Sequence, residues 1–238
     1  MIVMAIGAHP DDVEFYCGGT LLQAAEAGCE VYSVVATDGC MGKALTGLGP
    51  EALSKVRFKE VMAAEEIMEW KSIWMGFRDG RLAVEAAVFD AALRELIRKI
   101  KPDVILSHDP DDYHPDHRTI ARTVQNLSDS AEFADIPVYF TDTCAGKGYL
   151  SGHPFNPEWL VDVSQVNARR VEALKKHASQ VNEDILGMLT AQGRFRGIQI
   201  SLTGVECAEA FRSGNVPARQ KGWFLPNKAV VAQGDRLL

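Results

Sequence analysis

No stretch of the chain approaches 18 consecutive apolar residues, so no membrane-spanning helix is expected. The start, MIVMAIGAHPDD, has no basic segment before its apolar run and meets charge too early for a secretory leader. The chain has no Cys-x-x-Cys pair, and its five cysteines (Cys17, Cys29, Cys40, Cys144 and Cys207) are odd in number. That pattern argues against a disulfide framework and fits reduced, buried thiols in a cytoplasmic protein. Basic residues are not in excess either. The net charge of −7 argues against nucleic acid as a partner. The glycine-rich G-x-G-x-x-G turn of a nucleotide-binding module is absent after the first apolar run. GAHPDD stands there instead, and its carboxylates repel a pyrophosphate. With no solenoid-length repeat, no low-complexity tract and no clear linker, the chain reads as one domain over residues 1–238.

What is present is ordinary for a globular protein: 47% hydrophobic and 24% charged residues over 238 positions, enough for a sizeable core. Short apolar runs alternate with amphipathic segments. IVMAIGA, CEVYSVVATDG, SIWMGF, DVILSH and IPVYFTD read as strands. DVEFYCGGTLLQAAEAG, EALSKVRFKEVMAAEEIM, AVFDAALRELIRKI and RTIARTVQNL read as helices. This alternation predicts an α/β fold, a Rossmann-like, mostly parallel sheet with helices on both faces. VDVSQVNARRVEALKKHASQ reads as a strand feeding a long helix. The part from about residue 181 is less regular, with ECAEAFR as a short helix or an edge strand. Gly18 and Gly19, poor residues inside a helix, are expected where another backbone comes close.

Doubly wound sheets place ligands at the carboxyl ends of their strands, and two histidine-bearing stretches fall there. His9 and Asp12 lie three residues apart after the first strand. His117, in the loop after the fourth, supplies a second imidazole. Two nitrogens and one carboxylate oxygen form a catalytic zinc set with a position left for water, whose pKa the ion lowers toward about 7. The same ligands admit iron(II). Asp11 is then free to take a proton from that water and return it to a leaving amine. His114, if protonated, is placed to stabilise an oxyanion. Asp116 is a candidate to hold one of these imidazoles in its tautomer.

AHPDD after the first strand, CGGT on the next helix and HPDH after a later strand resemble the PIG-L/LmbE-like zinc-dependent deacetylases. TDGCMG, VRFKEVMAAEEI, GFRDGRL and KKHASQ extend the resemblance over roughly residues 1–180. It implies a metal-dependent hydrolase removing the acetyl group from an N-acetylglucosamine-type amino-sugar conjugate. It implies His9, Asp12 and His117 as zinc ligands, Asp11 as general base and then acid, and His114 as electrostatic catalyst oriented by Asp116. It also implies Arg57 and Asp79 as substrate contacts, and a homo-oligomer, commonly a trimer or hexamer. The chain departs from the family pattern at Cys40, where relatives often carry glutamate. That leaves room for a zinc amidase acting on a larger amide in a thiol or antibiotic conjugate.

Plainer roles compete for the remaining residues. His108 and His153 read as ordinary histidines satisfied by neighbours, and His177 as either a family match or a helix-surface residue. Asp11 also suits a helix N-cap. Asp109, Asp111 and Asp112 lack calcium-loop spacing and read as a solvated acidic loop. Cys17 and Cys40 read as small buried residues, and Arg57 also suits pairing with a helix carboxylate.

Overall fold

A computed structural model of the chain describes residues 1–42, 47–142, 154–201, 203–221 and 224–225. In chain order the elements are β1 (Ile2–Gly7), α1 (Asp12–Glu26), β2 (Glu30–Thr37), α2 (Pro50–Met68), β3 (Lys71–Phe77), α3 (Ala86–Ile100), β4 (Val104–Ser107) and α4 (Pro115–Ser128). They continue with β5 (Val138–Thr141), β6 (Trp159–Asp162), α5 (Asn167–Leu174), α6 (Glu183–Ile200), β7 (Ala208–Ser213) and α7 (Val216–Lys221). The seven strands form one sheet in the order β3-β2-β1-β4-β5-β7-β6. β1 to β5 pair in parallel, and β7 runs antiparallel to both its neighbours. This is the doubly wound, Rossmann-like arrangement the alternation predicts.

Strand alternation divides the core. Val3 and Ala5 of β1 pack with Val13, Leu21, Leu22, Ala64 and Met68 on one face. Met4 and Ile6 pack with Phe89, Leu93, Ile97, Ile120 and Val124 on the other. A sheet buried on both faces favours apolar residues at successive strand positions, which is why β1, and β4 up to Leu106, read as apolar runs. The order reverses between β1 and β4, so the crevice at their carboxyl ends is where a ligand site is expected.

Four expectations are corrected. ECAEAFR, expected as a short helix or an edge strand, supplies β7, an interior strand, since β5 and β6 flank it; α6, ahead of it, runs 18 residues. The carboxylate of Glu209, on β7, is buried. It accepts the Gly19 and Thr20 amide hydrogens at 2.8 Å each and the Arg170 guanidinium at 2.5 Å. The long helix expected after β6 is short: α5 stops at Leu174, where the chain turns to bury His177 and Ser179. Gly18 and Gly19 make room for side chains, not for backbone. A Cβ on Gly19 would lie 2.7 Å from Val163 Cβ, and one on Gly18 3.1 Å from Arg170 Cγ. Finally, α4 starts at Pro115, earlier than predicted. Proline suits the first helical position because that N–H has no intrahelical partner, so His117 sits in a helix turn and not in a loop.

Candidate active site

The turn from β1 into α1 aims His9 and Asp12 at one point. The Asp12 carboxylate accepts the His9 amide hydrogen at 2.7 Å, and the Asp12 N–H donates to His9 O at 3.2 Å. Asp11, between them, has φ 119°, a left-handed conformation that costs a non-glycine residue about 1–3 kcal/mol. Buried Arg57 braces it. Its guanidinium donates to the carbonyls of Pro10 and Gly39 and lies 3.1 Å from Asp11 Oδ2. Asp11 is the N-cap residue, yet its side chain makes no capping bond. Burial pushes its carboxyl up to about 6, against the pull of Arg57.

His9 Nδ1, Asp12 Oδ2 and His117 Nε2 form a near-equilateral triangle. Its sides are 3.3 Å (His9–Asp12), 3.4 Å (Asp12–His117) and 3.2 Å (His9–His117). A tetrahedral ion with bonds of about 2.0–2.1 Å has ligand atoms roughly 3.3–3.4 Å apart. The far nitrogen of each ring is held by an acid: His9 Nε2 lies 3.1 Å from Asp79 Oδ1, and His117 Nδ1 lies 3.1 Å from Asp112 Oδ2. Each neutral ring therefore keeps its proton on the outer nitrogen and turns a lone pair inward. The residues fit a small divalent cation.

The titration of the cluster agrees. Burial disfavours charge on His9, but the carboxylates of Asp116, Asp12 and Asp79 around it outweigh that and hold its pKa well above the ordinary value. Burial is likewise outweighed at His117, by Asp12 and Asp112, and its pKa rises to about 9. Asp12 is buried too, yet His117 and His108 hold its carboxyl well below the carboxylate range. A cluster that retains protons this firmly has an excess of negative charge awaiting a cation.

The structure therefore brings His9, Asp11, Asp12, Arg57, Asp79, His114, Asp116 and His117 into one region, with some contacts the sequence did not disclose. Asp116 turns its carboxylate toward His9 (3.6 Å to Nε2) and accepts the Gly80 amide hydrogen at 2.7 Å. What orients His114 is the backbone N–H of Asp116, donated to His114 Nδ1 at 3.3 Å. That leaves the His114 proton on Nε2. Burial, then the neighbouring His117 and His9, lower the His114 pKa to about 4. The acidic loop is solvated only at Asp111, which pairs with Arg212 at 3.0 Å. Asp109 and Asp112 are buried, the first paired with Arg212 of β7 (2.5 Å) and the second holding His117.

His108, taken as an ordinary histidine satisfied by its neighbours, is buried behind His117. Its ring stacks on His117 with centroids 3.8 Å apart, and its Nε2 accepts the Ala8 amide hydrogen at 2.9 Å. Its place directly after β4, beside the end of β1, was the available signal. His177 is fully buried, not on a helix surface, and pairs with Glu14 at 3.2 Å. Cys40 is buried, and burial followed by Asp38 raises its thiol pKa to about 11. His153 and Cys144 lie outside the described residues.

The triangle borders a cavity of about 610 Å³ that Asp11, Tyr113, His114 and Gln180 also line. Residues 4–128 match the family model described as PIG-L, GlcNAc-PI de-N-acetylase. The chain belongs to the PIG-L family. It is 30% identical over 196 residues to diacetylchitobiose deacetylase of Thermococcus kodakarensis, covering 77% of this chain and 71% of that one. N,N'-diacetylchitobiose deacetylase from Pyrococcus horikoshii superposes with a TM-score of 0.74 at 26% identity, over 95% of this chain and 87% of that one. The 4-carboxy-2-hydroxymuconate hydratase GalB from Pseudomonas putida superposes with a TM-score of 0.77 at 20% identity, over 89% and 95%. That likeness concerns fold alone, and fold does not choose a reaction. Among the described residues of this PIG-L chain, no helix is long and apolar enough to cross a membrane.

Proposed function

We propose that the chain is a zinc-dependent deacetylase of an N-acetylglucosamine-type conjugate, working in the cytoplasm. The observation that carries the reading is the triangle of His9, Asp12 and His117, with the raised carboxyl of Asp11 beside it. These three residues would hold the ion. Bound there, zinc supplies Lewis acidity toward the amide oxygen and toward water.

The chain's own groups do the rest. Asp11, poised near 6 by burial, takes a proton from the attacking water and delivers it to the departing amine. His114 offers its Nε2 proton to the oxygen that becomes negative. Arg57 positions Asp11, while Asp79 and Asp116 fix the His9 ring. Both Arg57 and Asp79 border the cavity, where they also serve as substrate contacts. The amide carbon becomes acetate and the sugar nitrogen leaves as an amine.

The test is acetate release from a panel of N-acetylglucosamine compounds by protein stripped of metal and then given zinc or iron(II). Zinc-restored release supports the proposal. Tight metal binding without release from any acetylated sugar moves the activity to another amide. Absence of both ends it.

A further inference from the structure

The cavity wall carries two guanidinium groups that the proposed chemistry does not use. Arg78 and Arg81 both line it and both are exposed. Among the described residues, neither side chain has a hydrogen-bond or ion-pair partner. The acids around them are already engaged. Asp79 binds His9 and the Met41 amide, Asp38 accepts the amides of Cys40 and Asp79, and Asp11 faces Arg57.

One turn brings the two arginines together. The Arg81 N–H donates to Arg78 O at 3.1 Å, and Gly80 has φ 77°. This is the pattern of a type II turn, whose first and last Cα atoms lie within about 7 Å. Its two central residues are tied to the metal cluster. Asp79 Oδ1 lies 3.1 Å from His9 Nε2, and the Gly80 N–H donates to Asp116 Oδ2 at 2.7 Å. The arginine pair is thus held at a set place relative to the reacting centre before any substrate arrives. A chain of net charge −7 repels an anionic substrate at long range, and a local pair of guanidinium forks offsets that where the substrate docks.

We propose that Arg78 and Arg81 form an anion subsite, so that the substrate bears a carboxylate or phosphate on the group attached to its acetamido sugar. This rests on the deacetylase reading above. The test uses N-acetylglucosaminides matched except for a carboxylate-bearing, a phosphate-bearing or a neutral aglycone. Each is given to the metal-loaded wild type and to an Arg78→Met/Arg81→Met variant. The expected result is a kcat/KM at least about tenfold higher for a charged member, expressed in KM and weakened by salt. That ratio falls toward one in the double variant, and the larger of the two ratios identifies the anion. Equal kcat/KM for charged and neutral members, or a ratio that survives the double variant, overturns the subsite while acetate release keeps the deacetylase reading. If no member releases acetate, that reading fails, and calorimetric binding of the same compounds decides the subsite. Charged-selective binding by the wild type, lost in the double variant, retains it; equal binding ends it.

Discussion

His9 Nδ1 and His117 Nε2 face each other at 3.2 Å, from residues more than a hundred positions apart, and each ring is braced from behind by a carboxylate. Two lone pairs do not sit at that separation without a proton or a metal ion between them. The Asp12 carboxylate completes the set, because its Oδ2 lies almost equally far from both nitrogens.

Asp11 is expected to matter for turnover and not for metal. Asp11→Asn should lower kcat by about 10²–10⁴-fold, the range for loss of a positioned acid–base group. Metal content, measured by atomic spectrometry, should stay at the wild-type level. Near-normal turnover would remove Asp11 from the proton path.

Metal binding should release protons. His117 is held at a pKa of about 9 and His9 is raised as well, so the facing nitrogens retain a proton in the metal-free protein at neutral pH. An entering ion displaces it. Affinity therefore rises as pH climbs toward about 9 and falls as pH drops. Calorimetry in two buffers of different ionisation enthalpy reads the protons released; a pH-independent affinity contradicts the assignment.

Asp112 should matter through His117. Its carboxylate is buried and 3.1 Å from His117 Nδ1. Asp112→Asn removes the acid that fixes that ring, which typically weakens metal binding about 10–100-fold. Competition with a chromogenic chelator measures it, and unchanged affinity would leave Asp112 with only a structural part.

Gly19 should resist substitution although it lies inside a helix. Gly19→Ala gains up to about 1 kcal/mol in helix propensity. Its Cβ would stand 2.7 Å from Val163 Cβ, and overpacking of that kind costs about 1–3 kcal/mol. The midpoint of urea unfolding should fall; a higher midpoint would mean that α1 shifts freely away from Val163.

What was legible in the sequence is what depends on near neighbours in the chain. Apolar periodicity disclosed the first five strands and four helices, because burial on two sheet faces dictates it residue by residue. The His9–Asp12 pair was legible because a single turn joins its members. The assignment of second partners was not. Asp79 reaches His9 across 70 positions and Arg212 reaches Asp109 across 103, and strand order alone brings them together. Likewise ECAEAFR reads along the chain as a short helix or an edge strand, whereas the interior place of β7 and the nearby α1 amides make its Glu209 a buried anchor. Local chemistry settles which groups are available at a strand end. Only the strand order decides that His9, beyond β1, meets Asp79 from beyond β3 and His117 from beyond β4, because those distances are set by the sheet and not by the spacing of residues along the chain.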